Sequence, residues 1–346
     1  MSMNILFTIS SSEVGGAQRW VRDQAKVVSS IGHSYLATNE YGWLVESSEF
    51  HDVLLHRGFS KYLSPGSLIS LLRFLRNNDI DLIVASSASA GVLSRIASLL
   101  SGIPVVYISH GWSAVYQGRF LKPFLCYSER ILSLITHKIV CVSQSDLSIA
   151  TDIISINKSK LVFFPNRVLP SPLLDSHVKG NNLTRVLTVC RLAHPKRVDL
   201  LVDAMSGIEA ELFVVGGGPL ASQLLEKAEM FDNVTFVGEV AGFNEFSDYD
   251  VFVLISDSEG MPMSALEAMS AGLPLVLSNV GGCPSLIEGN GCLVSNDIAS
   301  VRSGIVRAIE NIDAYSNASI ELFDSRYNLL RFSNSYIDFY KDCIAR

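Results

Sequence analysis

Cysteine is scarce in this 346-residue chain and unpatterned where it occurs. The six (Cys126, Cys141, Cys190, Cys283, Cys292 and Cys343) form no C-x-x-C pair, so neither a zinc site nor a disulfide framework is indicated and core packing is their expected role. The opening residues, MSMNILFTIS, lack the basic start, long apolar stretch and small-residue cleavage site of a secretory signal, so a cytoplasmic location is expected. Nor is there an unbroken apolar run of membrane-spanning length. The longest uncharged stretches, 96–118 and 268–287, are interrupted by Pro104, His110 and Gly111, and by Pro274 and a Gly-Gly pair. Both read as buried strands with their turns. No internal repeat and no low-complexity tract is found.

What is present is apolar and abundant: 48% of the residues are hydrophobic, enough for two domains with separate cores. The net charge of −7 argues against general nucleic-acid binding. Its distribution is uneven. Residues 1–165 carry 14 Lys and Arg against 11 Asp and Glu, or +3, leaving 13 against 23, or −10, for the rest. A basic front half suits an anionic membrane surface or a phosphate-bearing acceptor.

Short β-rich apolar runs alternate with segments of helical period, the pattern of a parallel sheet with crossover helices, so the fold class is α/β, twice over. Strands are expected at 4–9, 34–38, 52–55, 81–85, 104–109, 138–142 and 161–164, with helices such as 16–31 and 65–78, the latter opened by Ser64 as N-cap and Pro65. The Pro- and Asn-containing stretch 167–182 reads as a linker between domains 1–166 and 183–328. Second-domain strands are expected at 185–190, 211–215, 234–237, 251–255, 273–277 and 291–294, followed by a helical tail from about Ser300.

The strongest chemical signal is the segment from Ser258 to Val276, where Glu259 falls on a loop after a strand and Glu267 in the helix that follows Gly260, Met261 and Pro262. A strand-end turn leading into a helix presents free N–H groups and a helix dipole where ligands bind in such sheets. There Glu259 can take sugar hydroxyls and Glu267 a ribose diol, since a carboxylate accepts two hydrogen bonds and offers no competing donor. Two carboxylates at this spacing could equally be a solvated helix start.

This segment resembles the E-x7-E motif of retaining GT-B glycosyltransferases, glycosyltransferase family 4, and four companions stand in that family's order. Gly15-Gly16-Ala17-Gln18 follows the first strand, like the family's Gly-Gly-Ala-Glu/Gln turn, where glycines let backbone amides approach a diphosphate. Arg191 and Lys196 match its Arg-x4-Lys pair; two cations there would neutralise a leaving nucleotide diphosphate. Arg197 beside them is readable as a surface cation, a reading that suits Arg191 less. Gly217-Gly218-Pro219 resembles the family's nucleotide-contacting turn, and Ala221 stands where a dinucleotide fingerprint needs glycine. His110 ends a strand where the family places a histidine facing the donor sugar.

The resemblance implies a GT-B fold, two Rossmann-like doubly wound domains facing each other across a cleft, with the acceptor bound by the first domain and the nucleotide sugar by the second. It implies that residues 329–346 form a helix returning to the first domain. It implies transfer of a hexose or N-acetylhexosamine, UDP being the default nucleotide, to a saccharide acceptor with retention and without metal or other cofactor. It further implies a lipid-diphosphate-linked acceptor of surface-polysaccharide or O-antigen assembly, with contact at the cytoplasmic face of the inner membrane. Met261 and Pro262 depart from the family's usual Phe and Gly, which alters the lining around the donor sugar. A nucleotide-sugar epimerase on the same scaffold and a non-catalytic nucleotide-sugar or glycan binder are the competing readings. Within 119–138, Phe120, Phe124, Ile131 and Ile135 fall on one side and Arg119, Lys122 and Arg130 on another. That face either packs on the first sheet or lies on an anionic bilayer.

Overall fold

The computed structural model describes residues 2–62, 64–112, 115, 119–172 and 183–345, with the backbone alone at 119. The chain divides into two compact units, Met1–Asn166 with Phe332–Arg346, and Arg167–Arg331. Of the expected linker, 167–172 groups with the second unit, while 173–182 lies outside the described residues.

The first unit is a seven-stranded parallel sheet in the order β3-β2-β1-β4-β5-β6-β7, its strands being β1 Met3–Thr8, β2 Gly32–Thr38, β3 Val53–Leu55, β4 Leu82–Ala85, β5 Val105–Ser109, β6 Lys138–Cys141 and β7 Leu161–Phe163. The central strands read as continuous apolar runs because helices cover both faces, so Ile5, Leu6, Phe7, Ile83 and Val84 are all fully buried. The helices are α1 Gly16–Val28, the short α2 Trp43–Glu46, α3 Pro65–Asn77, α4 Ala88–Ser101, α5 Lys122–Leu134 and α6 Gln144–Ser148. At the start of α3 the Ser64 hydroxyl accepts from the N–H of Ser67 and Pro65 fills the first turn, as expected. In this unit the C-terminal segment packs through Tyr340, whose hydroxyl donates to Gln24 Oε1 at 2.8 Å, and Tyr336, whose hydroxyl donates to the Pro165 carbonyl at 3.1 Å.

The second unit is a six-stranded parallel sheet in the order β10-β9-β8-β11-β12-β13, with β8 Thr184–Val189, β9 Ala210–Val215, β10 Val234–Gly238, β11 Val251–Leu254, β12 Leu275–Ser278 and β13 Gly291–Val294. Helices α7 Val198–Ala204, α8 Ala221–Ala228, α9 Met263–Ser270, α10 Ile298–Glu310 and α11 Ile312–Leu322 pack around it. The helical tail expected from about Ser300 is built of several helices. It comprises α10, α11, a π-turn at Phe323–Tyr327 and α12 Leu329–Ile344. In both units the strand order reverses once, between β1 and β4 and between β8 and β11. The carboxyl ends flanking such a reversal are where ligands bind in open α/β sheets.

Three expectations need correction. Residues 96–101, expected among buried strands and turns, finish α4, which Gly102 closes at φ +79°. Their apolar character misled, since Leu99 and Leu100 point outward. Residues 268–270 likewise finish α9, a helix buried nearly all round and therefore without a clear amphipathic period. The apolar side named within 119–138 does not pack as one face: Phe120 is 100% exposed, Phe124 and Ile131 are exposed with it, and Ile135 is half-buried. It is Cys126 and Ser133 that turn inward.

Candidate active site

In the second unit the loop after β8 and the turn after β9 are built against each other. The Leu192 N–H donates to the Gly217 carbonyl at 2.8 Å and the Leu220 N–H to the Leu192 carbonyl at 2.9 Å. Gly216 (φ +146°) and Gly218 (φ +151°) are required here, because a Cβ on Gly216 would lie 1.9 Å from the Cys190 carbonyl oxygen and one on Gly218 2.5 Å from that of Leu192. A Cβ on Gly217 would meet the Glu239 carboxylate, and Pro219 is exposed. The glycine run thus lets the turn sit against the Arg191–Lys196 loop.

That loop places Lys196 in an ion pair with Glu259, whose own loop follows β11. Both are largely buried, with side-chain exposures of 18% and 10%. Burial acts to lower the Lys196 ammonium, but the Glu259 carboxylate beside it carries it above its ordinary value. The neighbouring thiols add no charge, since burial pushes Cys190 up and Cys283 up to about 12. Removing either partner of such a pair strands a buried charge, at about 3–5 kcal/mol. A held cation beside a held acceptor is suited to a ligand with both a diphosphate and free hydroxyls.

Arg191 stands differently from the sequence reading. It is exposed, and among the described residues no hydrogen bond or ion pair holds its guanidinium, whereas Arg197 is half-buried between Asp199 and Asp257. An unheld guanidinium at a strand end remains available to an incoming anion.

From Glu259 the chain runs through Gly260, whose carbonyl accepts from the Gly282 N–H at 2.7 Å, into α9. Met261 (4% exposed) and Pro262, expected beside the donor sugar, have buried side chains. Glu267, 7% exposed, lies in α9 among Ala265, Leu266, Ala268 and Met269, all buried.

In the first unit Gly15 has an extended backbone (φ −176°) open to any residue, and a Cβ there would meet only the movable Gln18 amide. Gly16 begins α1. One turn on, the indole of Trp20 packs edge-on against His110, ring centroids 5.5 Å apart. Burial lowers the His110 imidazole to about 4, and its Nε2 is buried with no hydrogen-bond partner among the described residues. A neutral imidazole with a free nitrogen can bond a hydroxyl but is not a proton carrier near pH 7. Beside this edge lies Asp146, which sequence reasoning missed. Burial raises its carboxyl to about 6 although Oδ2 accepts from the Ser143 hydroxyl at 2.8 Å. The pattern Ser143-x-x-Asp146, a capping-type spacing, was the available signal.

Among the described residues no group of three His, Cys, Asp or Glu is placed to hold a metal. The chain's two Asp-x-Asp pairs, 79/81 and 248/250, sit at strand starts, on the edges opposite these loops. Asp81 accepts from the Asn4 N–H at 2.8 Å and Asp250 from the Arg185 N–H at 2.7 Å.

Residues 14–169 match the model of Glycosyltransferase Family 4 and residues 184–311 that of Glycosyl transferases group 1. The chain is 40% identical over 321 residues to the O-antigen biosynthesis glycosyltransferase WbnH of Escherichia coli, covering 92% of this chain and 93% of that one. It is 28% identical over 296 residues to the Escherichia coli UDP-Gal:alpha-D-GlcNAc-diphosphoundecaprenol alpha-1,3-galactosyltransferase, covering 79% and 74%. Among solved structures, Anabaena HepE in complex with UDP and glucose superposes with a TM-score of 0.83 at 19% identity, covering 98% of this chain and all of that one. By these matches, and by the two parallel-sheet units that carry them, the chain belongs to the glycosyltransferases of GT-B fold, a Family 4 domain followed by a group 1 domain.

Proposed function

We propose that this glycosyltransferase moves a hexose or N-acetylhexosamine from a UDP-sugar to a hydroxyl of a lipid-diphosphate-linked saccharide in O-antigen assembly, with retention of configuration and without a metal. The observation that carries the reading is the Lys196–Glu259 pair, a cation and an acceptor brought together at the carboxyl edge of the second sheet, beside the exposed Arg191. Lys196 and Arg191 meet the diphosphate, joined by the N–H groups that open α9. Glu259 holds the sugar hydroxyls and Glu267 the ribose. In the first unit, taken by itself, the Gly15–Gly16 turn offers N–H groups to an anion and His110 a neutral ring to a sugar hydroxyl. The turn at Gly217, Gly218 and Pro219 contacts the nucleotide, with Gly260, Met261 and Pro262 contributing backbone.

In this mechanism the bond from the anomeric carbon to the β-phosphate oxygen breaks as the acceptor oxygen bonds the same face of that carbon. The acceptor's proton passes to the departing phosphate. No protein nucleophile is consumed, and catalysis is positioning plus stabilisation of the growing diphosphate charge. UDP and the lipid-linked acceptor draw support from the galactosyltransferase relative, named for a UDP-Gal donor and a diphosphoundecaprenol-linked acceptor, and from the UDP bound in HepE. No described helix is long and apolar enough to cross a membrane. We place instead the exposed apolar side of α5, with Phe120, Phe124 and Tyr127 beside Lys122 and Arg130, on the anionic surface that would carry the acceptor.

The test is incubation with UDP-hexoses and a synthetic lipid-diphosphate saccharide in EDTA. A product heavier by one sugar, with the donor's anomeric configuration in its proton NMR couplings, is expected. An inverted linkage, or a requirement for added metal, contradicts the proposal.

A further inference from the structure

Asn296 belongs to no motif, yet it closes the hydrogen-bond ring on which the two loops of the candidate site rest. Lys196 and Glu259 lie on separate loops, and the splice between these loops is the main chain at Ser256. Lys196 and Ser256 form an isolated antiparallel bridge. The Arg197 N–H donates to the Ile255 carbonyl at 2.9 Å, and the Asp257 N–H to the Pro195 carbonyl at 2.9 Å. The Ser256 hydroxyl donates to the same Pro195 carbonyl at 3.2 Å.

Ser256 is in turn held at both ends of its own backbone. Its N–H donates to the Ser278 hydroxyl at 2.9 Å, and its carbonyl accepts from Asn296 Nδ2 at 3.0 Å. The Ser278 hydroxyl donates to Asn296 Oδ1 at 2.6 Å, which fixes the amide's orientation. The second Nδ2 proton reaches Asp257 Oδ1 at 2.8 Å. Both serines are fully buried, so water cannot take the place of a lost partner.

We infer that Asn296 is a positioning residue for sugar transfer, acting through Ser256 and Pro195 to hold the Lys196 ammonium against Glu259. This rests on the reading of that pair as the donor site. A cation needed most when the diphosphate charge grows must be held before that moment, and a loosened loop loses turnover more than ground-state binding.

The test is UDP release from the UDP-hexose that the wild type turns over fastest, in Asn296→Ala, Asn296→Asp, Lys196→Ala and the two double variants. Asn296→Asp keeps the residue's size but turns a carboxylate toward the Ser256 carbonyl and the Asp257 carboxylate, so it serves where Asn296→Ala fails to fold. Each Asn296 variant is expected to lower kcat at least tenfold with KM changed less than twofold, and to cause no further loss once Lys196 is alanine. Wild-type kcat in Asn296→Asp, or losses that multiply with that of Lys196→Ala, overturns the inference. Wild-type kcat in Lys196→Ala overturns instead the donor-site reading beneath it.

Discussion

A Cβ on Gly281 would lie 1.7 Å from the carbonyl oxygen of Glu259, in a backbone conformation (φ +53°) that side-chain-bearing residues rarely adopt. The Glu259 loop can sit where it does only because residue 281 is glycine. Gly289 has a similar positive φ (+78°) with nothing near its absent Cβ, and so separates backbone strain from displacement. Gly281→Ala is expected to lower kcat more than tenfold, while Gly289→Ala costs only about 1–2 kcal/mol of stability. Steady-state rates and thermal melts of the two proteins check this; equal activity in both contradicts it.

His110 and Asp146 respond to pH in opposite senses. The His110 imidazole falls on folding from 6.5 to about 4, so the folded state binds fewer protons there; its contribution is present above pH 6.5 and lost as pH falls toward 4. The Asp146 carboxyl rises from 3.8 to about 6, so its contribution is present below pH 3.8 and lost as pH rises to 6. Each swing is worth about 3 kcal/mol, and between pH 4 and 6.5 the two nearly cancel. Asp146→Asn removes one of them. Its melting temperature is expected to exceed that of the wild type at pH 7.5 and to fall more steeply below pH 6.5. Parallel curves of melting temperature against pH count against the account.

Lys196 and Glu267 separate in kinetics. Lys196→Ala is expected to lower kcat about 100-fold with a modest change in KM, because its charge matters most as the bond breaks. Glu267→Ala is expected to weaken UDP binding chiefly, through the ribose. Calorimetric titration with UDP beside initial rates decides; small and equal effects of both substitutions sink the assignment.

The exposed side of α5 makes its own prediction. Phe120→Ser with Phe124→Ser removes two exposed aromatic side chains, neither of them part of the buried core. Sedimentation with phosphatidylglycerol vesicles is expected to drop at least fivefold, while transfer to a water-soluble acceptor stays at the wild-type rate. Unchanged sedimentation contradicts the membrane placement.

These residues show where the sequence was legible. The strands could be placed to within about two residues because their apolar runs sit between turn residues, as from Val251 to Leu254 and from Gly291 to Val294. Glu259 and Lys196 could be named from motif spacing, although nothing local says that they touch. Burial was harder to read. Phe120 and Phe124 look like core side chains, and only the tertiary fold puts Cys126 and Ser133 beneath them. Arg191, directly behind an apolar strand, turns outward. The ring through Ser256, Ser278 and Asn296 joins residues 18 to 40 positions apart, each bond a single unpatterned pair. No periodicity or spacing carries such a signal.

The most direct test of the central claim is a thermal-shift comparison of wild type and Lys196→Ala against UDP, GDP, their common sugar conjugates and NAD, with and without EDTA. The wild type is expected to shift selectively and EDTA-insensitively with one UDP-sugar, and Lys196→Ala to shift less. A shift with NAD alone, or none with any nucleotide sugar, contradicts the assignment of the second unit as the donor site.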